Sequence, residues 1–147
     1  VFAHHFSGKG TAEALATYRA EFRPSERTPE PTTFLTVNAV VAESYDEAVA
    51  LAIPNLQSMA RLMTGAPLTA LDLVEDAEKA PLTPQQQAMV QDGLARNIVG
   101  DPAQAAERLQ ALAAEFEVDE VMVHPVASAR QGADPRRAAG REVAEDA

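Results

Sequence analysis

Thr33-Phe34-Leu35-Thr36-Val37-Asn38-Ala39-Val40-Val41-Ala42 is the stretch that decides the fold. It is rich in β-branched residues and almost continuously apolar, the pattern of a strand covered on both faces. A half-exposed strand would alternate instead. Helical segments flank it. Upstream, Leu15, Tyr18 and Phe22 recur at helical spacing after Thr11, which reads as the N-cap. That helix stops before Arg23-Pro24, because a residue preceding proline avoids the α region. Pro24, Pro29 and Pro31 then make an extended connector. Downstream, Ser44 with Glu47 three residues on reads as a capping box, opening a helix through Met63. Leu56, Ala60 and Met63 form its expected apolar stripe, and Pro54 is expected to kink it.

Working outward, Val1 to Phe6 is a short β-compatible run broken by Ser7-Gly8-Lys9-Gly10. Gly65 to Ala80 is irregular and acidic. Thr83-Pro84-Gln85-Gln86 starts another helix, with proline at its first position, running to about Asn97. Asp101-Pro102 starts the next, with Ala105, Leu109, Leu112 and Phe116 on its buried side. Val118 to Val123 reads as a strand ended by His124-Pro125, and residues 128–147 as a helical or disordered tail beyond a domain of residues 1–127. The order β-α-β-α-α-α-β requires parallel strands, which is α/β architecture.

Composition bounds the rest. With 147 residues and 46% hydrophobic side chains the chain can build one core. A complete (β/α)₈ barrel needs about 250 residues, so only part of one would fit. The opening at Val1 reads as a start inside something longer. No apolar run approaches the roughly eighteen residues of a membrane span. The net charge of −10 is concentrated in residues 43–79 and 101–120. That surface disfavours nucleic acid and anionic membranes as partners. The absence of cysteine removes disulfides, thiolate nucleophiles and Cys-ligated zinc, and a cytoplasmic location is the default.

Chemistry concentrates in a few residues. His4 and His5 end the first strand and His124 ends the last, so parallel strands would gather them at one rim. Adjacent strand residues point to opposite faces, so only one of His4 and His5 can face the interior. Each has a plainer reading as a partly buried imidazole satisfied by backbone carbonyls. Asn38 is a polar residue within the apolar strand, either a ligand contact or a satisfied core amide. No HxH, HExxH or GxSxG spacing exists, so neither a metal site nor a hydrolase is expected. Met59, Met63 and Met89 read as core packing.

Five stretches in series resemble the bacterial-luciferase-like flavin-dependent oxidoreductases. They are Phe2-Ala3-His4-His5-Phe6, Tyr18-Arg19-Ala20-Glu21-Phe22-Arg23-Pro24-Ser25, Val37-Asn38-Ala39-Val40-Val41-Ala42, Ile98-Val99-Gly100-Asp101-Pro102 and Asp119-Glu120-Val121-Met122-Val123. The resemblance implies the C-terminal half of a TIM barrel, a partial barrel whose three parallel strands stand for the sixth, seventh and eighth. It implies a monooxygenase acting on a small organic substrate with reduced flavin mononucleotide (FMN). On that alignment His4 and His5 would lie beside the cofactor, and Asn38 and His124 beside the substrate; no catalytic residue is assigned. The family's Gly-Ser-Ser-type phosphate loop has no counterpart, so tight FMN binding and activity are not expected of this chain alone. An alternative is a non-catalytic flavin- or ligand-binding or assembly protein built from a shortened barrel. Three strands leave open sheet edges, so a homo-oligomer is expected.

Overall fold

A computed structural model of the chain describes residues 2–4, 10–67 and 69–128, the first of these ranges as backbone. In chain order the elements are β1 (Phe2–His4), α1 (Thr11–Glu21), β2 (Thr33–Val41), α2 (Tyr45–Met63) and α3 (Val74–Ala77). They continue with α4 (Pro84–Arg96), β3 (Ile98–Gly100), α5 (Pro102–Phe116) and β4 (Glu120–Pro125). The three expected strands are present, all parallel, and β3 is added to them. Val1, His5 to Lys9 and most of the expected tail lie outside the described residues.

β2 is the hub. Its start pairs with β1, from Phe2–Thr33 to His4–Leu35, and its end pairs with β3, from Ile98–Ala39 to Gly100–Val41. β4 runs alongside it from Phe34–Glu120 to Ala39–Pro125. Phe34 and Leu35 each pair with both β1 and β4, so those two strands flank β2 on opposite edges.

The near-continuous apolar character of β2 is explained by cover on both faces. Leu35, Val37 and Ala39 pack with Ile98 and with Ala105 and Leu112 of α5; Leu109, Phe116, Val118 and Val121 border this cluster. On the other face Val40 packs with Ala48, Ala52, Leu56 and Ala60 of α2 and Val90 of α4. Burying a side chain such as Leu35 contributes about 1.5–3 kcal/mol, so both layers add materially to stability. α2 and α4 meet closely at Gly93, where a Cβ would come 2.7 Å from a Leu56 methyl.

The helix starts follow their capping residues. Ser44 accepts from the Glu47 N–H, and full capping boxes join Thr83 with Gln86 and Asp101 with Gln104. α1 differs from expectation: Gly10, at φ 90°, is its N-cap, and Thr11 is the buried first helical residue. Only Gly holds that left-handed geometry without strain.

Two further expectations are corrected. β4 begins at Glu120 rather than Val118 and continues through His124-Pro125. The Val126 N–H donates to the Ala39 carbonyl, so the ladder passes Pro125, whose missing N–H is directed away from β2. Met63 and Met59 are exposed, Met63 at 69%. The buried stripe of α2 repeats at every fourth residue through Ala60, and Met59 lies about 100° round the helix from it. Met89 does border the α2–α4 cluster.

Candidate functional site

Register builds the site. Residues paired across parallel strands project to the same face, so Thr36 stands beside Met122 and Asn38 beside His124. This face is opposite the one packed on α5. His124 Nδ1 lies 3.2 Å from Asn38 Oδ1, and the Thr36 hydroxyl reaches the Met122 sulfur at 4.0 Å. One rung further on, Val40 is sealed by the α2–α4 layer. The Asn38–His124 pair therefore sits at the border between a covered and an open part of the sheet, toward the C-terminal ends of its strands. Met122 is 53% exposed and His124 is exposed, so this stretch is accessible to solvent.

Two of the four residues singled out from sequence thus meet in space. Asn38 is half-buried and its oxygen has an imidazole partner, which satisfies the amide on that side. His4 belongs to β1, and its backbone pairs with Leu35, three residues before Asn38. That offset is about 10 Å along the strand. His5 lies outside the described residues. Thr36 and Met122 were not singled out, although their place two residues before Asn38 and His124 puts them on the same face of each strand.

A second polar cluster lies at the opposite end of the sheet. Asp119 Oδ2 accepts from the Thr33 N–H at 2.8 Å and the Thr33 hydroxyl at 3.0 Å, while the Asp119 N–H donates to the Thr33 carbonyl. The bonds from the Thr33 N–H and then its hydroxyl hold the Asp119 carboxyl below its ordinary pKa against opposing desolvation, with the nearby Arg19 charge adding a lesser pull. Arg19 itself donates to the Phe116 and Glu117 carbonyls at 2.9 and 2.6 Å, closing the end of α5. This end carries stability rather than ligand chemistry.

A third group pins the segment after α2. Arg61 pairs with Asp72 at 2.8 Å and donates to Gln57, whose buried amide donates to the Ala77 carbonyl. Among the described residues no group of three or more His, Asp or Glu side chains is arranged to hold a metal ion.

Parallel strands joined through helices, with polar side chains toward their C-terminal ends, define an α/β protein of the kind that holds ligands along that rim. Known proteins narrow the class. A protein of Escherichia coli K12 named luciferase-like monooxygenase is 30% identical over 123 residues, which are 84% of this chain and 36% of that protein. The uncharacterised protein YvbT of Bacillus subtilis is 33% identical over the same shares of the two chains. Among solved structures, the crystal structure of apo-MsnO8 superposes with a TM-score of 0.68 at 28% identity, over 80% of this chain and 36% of its own. No protein-family profile matches. The chain is similar to a segment of luciferase-like proteins and spans about a third of the length of the curated relatives it matches.

Proposed function

We propose that the chain forms the C-terminal half of a luciferase-like (β/α)₈ barrel, part of a flavin-dependent monooxygenase acting on a small organic substrate. Asn38 and His124 line its substrate side, and the protein works in the cytoplasm. The observation that carries this reading is the Asn38–His124 pair on the open part of a parallel sheet, toward the C-terminal ends of its strands. Ligands of parallel α/β folds gather at that end. The relative named luciferase-like monooxygenase supports the chemistry.

Reduced FMN would supply the redox chemistry when bound, leaving the protein to orient it and shape the pocket. Neither the start of α2 nor that of α5 fits its phosphate. A phosphate grip needs free N–H groups or cations. α2 instead opens on Asp46 and Glu47, and the Asp101 carboxylate at the start of α5 already takes the Ala103 and Gln104 N–H groups. This mismatch also favours a second reading, a ligand-binding protein that does no catalysis.

Titrating the isotope-labelled chain with oxidised and reduced FMN, followed by flavin fluorescence and by NMR, tests the proposal. Weak binding is expected, with resonance changes at Asn38, His124 and Met122 and none along α5. Tight binding would place a phosphate grip elsewhere in the chain. Changes confined to other residues would remove the substrate-side role of the pair.

A further inference from the structure

We propose that Asn38 is a positioning residue that holds His124 in the tautomer with its hydrogen on Nδ1, leaving Nε2 as an acceptor for a hydroxyl or N–H of the ligand. The argument starts from the 3.2 Å contact between Asn38 Oδ1 and His124 Nδ1. An amide oxygen has lone pairs and no hydrogen, so a hydrogen bond there requires one on Nδ1. A neutral imidazole carries a single N–H; with that hydrogen on Nδ1, Nε2 keeps its lone pair.

The contact is not an incidental meeting of two surface side chains. The two residues are direct partners in the β2–β4 ladder, which is paired from Phe34–Glu120 to Ala39–Pro125 and bolted at its foot by Thr33 and Asp119. A slip of one residue would turn every side chain of β4 to the other face. Backbone register thus aligns the amide with the imidazole, and the amide sets the ring's hydrogen.

The surroundings narrow the ligand. One rung back along the same face lie Met122, exposed, and Thr36, whose hydroxyl is turned to the Met122 sulfur. One rung ahead lies the apolar α2–α4 layer. A thioether surface beside the Nε2 lone pair suits a neutral organic molecule with an apolar body and a hydroxyl or N–H donor. A molecule carrying only ether or carbonyl oxygens would set lone pair against lone pair at Nε2. This ligand class rests on the proposed function; the tautomer does not.

The ring nitrogens of His124 in the labelled chain, read by long-range proton–nitrogen NMR at alkaline pH, show directly which one carries hydrogen. We expect Nδ1–H in the wild type, retention of that form in Asn38→Asp, which keeps an acceptor oxygen, and its loss in Asn38→Leu. Hydrogen on Nε2 in the wild type, or the same tautomer in all three proteins, would overturn the proposal. Phenol and anisole then probe Nε2, since they share an aromatic body and differ in the O–H donor. Phenol should shift the Nε2 resonance at about fivefold lower concentration than anisole, the worth of roughly one net hydrogen bond. Equal effects, or none, would overturn the donor preference. A chain that shows the Nδ1–H signature and the phenol preference while FMN leaves the pair unperturbed would refute the flavin reading alone.

Discussion

Thr33 and Asp119 show how one carboxylate can fasten two strands. Asp119 takes two hydrogen bonds from Thr33, which lower its pKa in the folded state. A carboxyl whose folded pKa lies below its unfolded value adds stability above the unfolded value, and that stability is lost as pH falls through the folded one. Asp119→Asn should therefore be less stable than the wild type at neutral pH. The gap in urea midpoint should close as the pH drops below the ordinary carboxylate range; a constant gap would show that titration of Asp119 plays no part. Nearby, Glu117 ends α5 at φ 49°, a left-handed geometry that a side chain resists. Glu117→Gly should raise stability by up to about 1 kcal/mol, visible in the thermal midpoint. Neither feature was legible in the sequence. The Thr33–Asp119 bonds join residues 86 apart in the chain, and a left-handed Glu has no compositional mark.

Elements were legible in proportion to how local their signals are. Capping chemistry is local, and the starts of α2, α4 and α5 fall where Ser44, Thr83 and Asp101 place them. The Asp101 box carries the turn from β3 into α5, so Asp101→Ala should cost about 1 kcal/mol in thermal or urea unfolding. Gln104→Ala removes one bond of the same box and should cost less. β3 escaped the reading because its three residues are held by pairing with Ala39, Val40 and Val41, not by any periodicity of their own. The end of β4 was misplaced for a related reason. Pro125 reads as a stop along the chain, yet the edge its nitrogen turns outward needs no donor from it. This correction puts His124 inside the strand and beside Asn38.

Across the molecule, the open stretch of β4 is the feature expected to govern behaviour in solution. Among the described strands β4 pairs with β2 alone, and Met122 and Val123, on its two faces, are 53% and 45% exposed. An exposed apolar edge strand is a template for pairing with another chain. The chain should therefore self-associate at micromolar concentration in sedimentation experiments, and Val123→Lys should shift it toward monomer without lowering its helix content. A compact monomer of the wild-type chain would show that this edge is covered by other means. The net charge of −10 opposes such association only modestly at physiological salt, where charges more than about 8 Å apart are largely screened.

The sequence by itself determined the α/β class, the three principal parallel strands, the starts of α2, α4 and α5, and the luciferase-like resemblance. Each rests on a short-range pattern: β-branched runs, capping residues, a series of motifs in order. It also marked Asn38 as a polar residue out of place and His124 as a strand-end imidazole, without relating one to the other. Their pairing was decided by tertiary structure alone. It depends on the register between strands whose residues are 86 positions apart, and register is set by how β2 and β4 pack under α5 and by the Thr33–Asp119 bonds at their foot.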